Sequence, residues 1–193
     1  MEFSSRQIDI ILAATRLIGS NGVQSLTTKN LAKEMNFSEP ALYRHFKNKD
    51  EILKSVLIYY KANMKEALAP LLLRENSGLE KLISLFNFQF SHFHNNPTIV
   101  LVIFSETSFQ HNKELSKAVL EIMSQKKALI QSFIEIGQKD GSIRSDVSPL
   151  QLATIIMGSM RLTILQWRLT SFSENLIKLG KSLWKTIDVL IKP

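Results

Sequence analysis

"SEPALYRHFKNK", residues 38–49, places a proline in the first turn of a helix too short to be stable alone. Ser38 is a residue type that caps helices, and Pro40 falls where a missing N–H is not needed. Leu42 and Phe46 are four residues apart, so they share one face, which is expected to pack inward. Ala41, Arg44 and His45 are left pointing outward, with Tyr43 at the flank. A small residue flanked by long hydrogen-bonding side chains suits a helix lying deep in the DNA major groove. Lys49 opens the next helix, where free N–H groups already favour a phosphate.

Upstream, "TTKNLAKEM" starts at a Thr27 cap and shows Leu31, Ala32 and Met35 on one face. The connector "NFS" joins it to the short helix as a helix-turn-helix. A third helix, from about Ser5 to Ser20, carries Ile8, Ile11, Leu12 and Ile18 at helical spacing and ends at Gly22. It would bury the apolar faces of the other two. Up to Lys49 the chain carries Arg6, Arg16, Lys29, Lys33, Arg44, Lys47 and Lys49 against Glu2, Asp9, Glu34 and Glu39. This is a mild positive excess, and the whole chain has a net charge of +7, which points to an acidic partner.

Downstream, Asn48 and Glu51 resemble a capping box for a long helix reaching about Leu72, with Pro70 near its end. Past the break "RENSG", Ser77 and Glu80 form a second capping box, and a Phe-rich helix runs to Asn95, where Pro97 stops it. "TIVLVIF", residues 98–104, is β-branched and continuously apolar, so it would pass for a buried strand. No second strand candidate exists to pair with it, and the reading is therefore a buried helix. A long helix follows from about Asn112 to Lys139, with Gly141 suited to its end. Ser148-Pro149 opens the next, to about Leu169, and Ser173 opens the last, to about Ile191.

The fold class expected is all-α, with about nine helices. A three-helix DNA-binding unit occupies residues 1–50. A larger helical body spans 51–193. The chain has 193 residues and no cysteine, which excludes disulfides, thiolate metal sites and cysteine nucleophiles. The N-terminus lacks the basic segment of a signal peptide, and the longest pure apolar run, Ile99 to Phe104, is far too short to span a membrane. A cytoplasmic location and no membrane partner are expected. There is no nucleophile–base motif, phosphate-binding glycine loop or metalloprotease signature, so no enzymatic activity and no cofactor are expected. His92 and His94, two apart on a helix, point about 200° apart and make no metal pair.

Taken together, "ILAATRLIGSNG" (11–22), "LTTKNLAKEMNFSEPALYRHFKNKDEIL" (26–53) and the helical remainder resemble the TetR family of transcriptional regulators. The likeness is close over about the first 60 residues; "IEIGQKDGSIRSDVSPLQLATIIMGSMRLTILQW" (134–167) extends it into the C-terminal half. The resemblance implies a homodimeric repressor that leaves a palindromic operator when a small hydrophobic or amphipathic molecule enters the larger domain. It also implies that Thr28 and Lys29 meet the DNA backbone, as do Tyr43 and Lys49. Glu39, Pro40, Ala41, Arg44 and His45 match positions facing base edges. Glu39 departs from the pattern by placing a carboxylate near phosphates: it either accepts from a cytosine amino group or merely favours the helix start. Arg44 fits a guanine contact or a phosphate contact.

"LISLFNFQFSHFH" (82–94) puts Phe86, Phe90 and Phe93 on one helical stripe. Two readings stand: ordinary core, or the lining of the effector cavity that the resemblance implies, together with Phe104, Glu106, Phe109, Met123, Met157, Arg161 and Trp167. Arg161 would meet an acidic ligand group, pair with Glu106, or face solvent. The last two helices are apolar over more than one face, through Ile155, Ile156 and Leu162, then Ile177, Ile187 and Leu190. Small Gly158 and Ser159 would admit a partner helix, so homodimerisation is expected there. The competing class is a binding protein whose helix-turn-helix packs against protein instead of DNA.

Overall fold

The computed structural model describes residues 3–72, 76–105 and 112–193. Among them nine α-helices and one 3-10 turn (Val23–Ser25) account for the regular structure, without a strand. The helices are α1 (Ser5–Asn21), α2 (Thr28–Glu34), α3 (Glu39–Tyr43), α4 (Lys49–Leu72) and α5 (Gly78–Asn95). Then come α6 (Pro97–Ile103), α7 (Lys113–Asp140), α8 (Pro149–Leu169) and α9 (Leu176–Ile191). The ambiguous apolar run is thus a helix. Two compact units emerge: residues 3–64 with 97–121, and residues 65–96 with 122–193. The division falls inside α4 and inside α7.

In the first unit, α1 is fixed at its start by a Ser4–Gln7 capping box, and Ile10, Ile11, Ala14 and Ile18 are fully buried. α1 packs on α2 and on α6, whose Ile99, Val100 and Val102 are buried. The approach to α6 is close: a side chain at Gly19 would run into Thr98. α7 begins in this unit, tied to α4 by Asn112 donating to Asp50 at 2.6 Å and by a Lys54–Glu114 ion pair at 2.9 Å.

In the second unit, α5 packs against α9, and α8 against α9. Ser77 and Glu80 make the capping box expected of them. Phe86 stacks on Phe90 with ring centroids 4.7 Å apart and meets Trp184 of α9 edge-on at 4.9 Å. α9 starts later than the Ser173 expectation. Ser171 and Phe172 lie in the left-handed region, and the Trp167 indole N–H donates to the Glu174 carbonyl at 2.7 Å. That reversal consumes Ser173, and Asn175 caps the helix instead, accepting from the Lys178 N–H.

Candidate nucleic-acid interface and ligand site

The geometry of the helix-turn-helix follows from its turn. Thr27 caps α2 by accepting from the Asn30 N–H at 3.1 Å. At the other end of α2, Asn36 has φ 55°, the Phe37 N–H reaches the Ala32 carbonyl at 2.8 Å, and the Asn36 N–H reaches that of Lys33 at 3.2 Å. This double closure with a left-handed residue is a Schellman ending, and asparagine is the side chain after glycine that best tolerates it. The chain is thereby turned sharply into α3. Ser38 holds the cap position of α3 but makes no side-chain cap bond, so its hydroxyl does not play the expected role. Pro40 in the first turn and burial of Leu42 and Phe46 do the fixing instead.

The expected orientation of α3 holds for Leu42 and Phe46, which are buried, and for Arg44, which is exposed together with Glu39, Pro40 and Tyr43, but not fully for Ala41 and His45. Tyr43, at 51% exposure, is one of the large apolar-bodied side chains left in solvent. Ala41 and His45 are half-buried, and the His45 carbonyl accepts from the Gln7 amide at 3.2 Å, which ties α1 to the residues just after α3. Lys29 is exposed and Thr28 and Lys49 are half-buried. The Glu39 carboxylate accepts from the Thr28 hydroxyl at 2.7 Å. These two DNA-contact candidates therefore hold each other across the gap between α2 and α3. At the start of α4, Asn48 accepts from the Glu51 N–H at 2.9 Å, and the Glu51 carboxylate accepts from the Lys47 N–H. That arrangement orders the Lys47–Lys49 corner.

The ligand candidates divide. Phe86, Phe90, Phe93, Met123, Met157, Arg161 and Trp167 all belong to the second unit; Phe104 is buried in the first; Glu106 and Phe109 lie outside the described residues. Phe86 and Phe90 are packed against α9, where a side chain at Gly180 would strike the Phe90 ring. Phe93 has different company. The Lys126 ammonium sits 5.9 Å from its ring centroid and donates to the Gln89 amide oxygen at 2.6 Å. Gln89 is completely buried, and its amide nitrogen, like His92 Nε2 and His94 Nδ1, has no protein partner among the described residues. Burial, reinforced by the nearby positive charge of Arg161, pulls the Lys126 amine down to about 7. Burial likewise lowers the imidazole of His92.

Sequence reading passed over Gln89 and Lys126. Gln89 was findable, because it is the one amide within the Phe86–Phe90–Phe93 face; Lys126 was not, since its partner is 37 residues away. Among the described residues no cluster of His, Asp and Glu could hold a metal, and no helix is long and apolar enough to cross a membrane.

The family description "Bacterial regulatory proteins, tetR family" matches residues 10–56. A second, "YsiA-like protein, C-terminal region", matches residues 62–190. The chain is 23% identical over 177 residues to the fatty acid metabolism regulator protein of Bacillus subtilis, covering 92% of this chain and 91% of that one. It is 24% identical over 119 residues to the nucleoid occlusion factor SlmA of Aliivibrio fischeri, covering 61% of each. Among solved structures, the transcriptional regulator FadR of B. subtilis, in complex with stearoyl-CoA, superposes with a TM-score of 0.82. It is 22% identical, over 93% of this chain and 96% of that one. FadR of Bacillus halodurans gives a TM-score of 0.86 at 18% identity, over 97% of both chains.

Proposed function

The chain belongs to the TetR family of bacterial regulatory proteins, DNA-binding transcriptional regulators rather than enzymes, and on that premise we propose that it is a repressor released from a palindromic operator by an amphipathic, fatty-acyl-type effector. Residues 1–50 read DNA in this reading, and residues 51–193 bind the effector and form the homodimer. The observation that carries the DNA half is the exposed strip of Tyr43, Arg44 and Lys29 beside the Thr28–Glu39 pair, on a turn fixed by Asn36. Arg44 has the reach to read a guanine edge, and Lys49 and Tyr43 the position to hold phosphates. The effector class is argued from the aromatic, partly polar interior of the second unit and from the stearoyl-CoA held by the structural relative.

Dimerisation is assigned to α8 and α9. Ile155, Leu162 and Leu169 are exposed at seven-residue intervals on α8, and Val189 and Leu190 are exposed on α9. One exposed apolar stripe on each copy suits a two-fold interface. Such a dimer would set two recognition helices about 34–36 Å apart, one turn of DNA. Effector binding then shifts α4, the helix that leads out of the DNA-reading segment, and alters that spacing. Coupling is reciprocal, so operator DNA weakens effector binding by the same factor, roughly 5–150-fold.

The test is selection of bound sequences from random DNA, followed by salt titration of the winner. A palindrome is expected, with base preference lost in Arg44→Ala and a salt slope shallower by about one in Lys49→Ala. Oleoyl-CoA is then added to the complex, and release is the expected result. Binding that enriches no sequence and vanishes at physiological salt would refute the operator reading and leave the protein-binding class.

A further inference from the structure

We propose that Lys126 and Gln89 form a polar subsite within the aromatic interior of the second unit, built to receive the oxyanion head of an apolar-tailed ligand. The inference rests on the effector reading above and narrows it to an anionic class. Three observations converge on it. Gln89 projects from α5 on the face of Phe86, Phe90 and Phe93 and is completely buried, yet its amide nitrogen donates to no protein group among the described residues. A buried donor without an acceptor is destabilising, and here it belongs to an amide whose other atom the fold does use. On the other side of that amide, its oxygen already receives the Lys126 ammonium at 2.6 Å. This fixes which way the amide faces, with its oxygen and not its N–H₂ toward Lys126.

Lys126 is itself half-buried, with Phe93 beside it, and among the described residues no carboxylate shares its proton. One turn along α5, His92 Nε2 is a further buried polar atom without a protein partner. A water molecule could serve the amide; only an anion both accepts from the amide and answers the ammonium. One oxygen of a carboxylate or phosphate bound beside the amide would take a hydrogen bond from Gln89 Nε2, with its charge near that of Lys126. Phe93, adjoining the ammonium, supplies the apolar surface on which the ligand's first methylenes would lie.

Three probes with one tail separate the cases: oleate, oleoyl-CoA and oleyl alcohol, each titrated calorimetrically into the wild-type dimer and followed in parallel by operator release. At least one anionic probe is expected to bind about tenfold or more tightly than the alcohol, the range of a charge-assisted hydrogen bond. Lys126→Met should erase that preference, and Gln89→Met should reduce it partly. Lys126→Met nearly keeps the volume while removing the charge and the donor to Gln89, and a cooperative thermal transition shows that the variant is folded. A preference for oleate identifies a carboxylate head; a preference confined to oleoyl-CoA, and lost in Lys126→Met, identifies the coenzyme's phosphates, with its pantetheine arm instead of the acyl chain on Phe93. Equal affinities for all three, or a preference that survives Lys126→Met, overturns the subsite while effector-driven release still stands. If none of the three binds the wild type, the effector reading falls and the subsite with it.

Discussion

A single methyl group decides whether the aromatic stripe of α5 is filled core or the wall of a cavity. Gly180 lies buried in α9, and a Cβ built there would sit 2.5 Å from Phe90 Cγ, 2.6 Å from Cδ1 and 3.1 Å from Cβ. These are the base of the ring, so turning it about its own axis brings no relief. On its other side Phe90 is held by Phe86, which Trp184 in turn supports. For Gly180→Ala, α5 and α9 must therefore part by something near an ångström. Overpacking of this kind costs about 1–3 kcal/mol, against a gain of roughly 0.5–1 kcal/mol from replacing a mid-helix glycine. The net expectation is a loss of about 1–2 kcal/mol, or a melting point lower by about 3–6 °C for a chain of this length. Scanning calorimetry reads it. A melting point that is unchanged or raised would mean that the ring swings into free space. Phe90 would then be a cavity wall, and the close-packing argument would be wrong.

Four other outcomes follow from particular residues. Asn36, at φ 55°, should tolerate Asn36→Gly, whereas Asn36→Val should lose about 1–2 kcal/mol on thermal unfolding and weaken operator binding. Leu162→Glu puts a charge into the exposed stripe of α8; sedimentation should show monomers, with operator affinity lower by about two orders of magnitude once two half-sites are no longer held together. Glu39→Gln keeps an acceptor for the Thr28 hydroxyl but removes a negative charge near phosphates. Non-specific DNA should bind about threefold tighter, as for one water-screened repulsion, and loss of preference at one base pair would instead show that Glu39 reads a base. Lys126 has an amine pulled down to about 7, while in the unfolded chain it titrates near 10.5. Between those values the unfolded state binds more protons, so stability should rise with pH at a slope of the order of 1 kcal/mol per pH unit. Lys126→Met should remove that slope and be more stable than wild type at pH 7 in urea titrations; parallel pH profiles would show the amine to be well solvated.

How far the sequence discloses all this depends on whether an interaction is local. Thr27, Ser77 and Glu80 act within one helical turn, and their caps were readable directly; so was the inward face of α3, because Leu42 and Phe46 obey a spacing that any helix enforces. The start of α9 was not readable. Ser173 has the right chemistry for a cap, but the Trp167 indole N–H captures the Glu174 carbonyl, and Phe172 is held in a backbone region that aromatic residues rarely enter. A tertiary contact thus overrode a local preference. The Thr28–Glu39 pair joins residues 11 apart and the Gln89–Lys126 pair residues 37 apart, so neither leaves a periodic trace. What the sequence did offer at Gln89 was an inconsistency, an amide where the aromatic face calls for an apolar residue. Such an amide is informative because the fold uses only half of it: Oε1 answers Lys126, while Nε2 has no protein partner among the described residues. The nitrogen is the part of that amide the fold leaves over, and an incoming acceptor is the use its geometry allows.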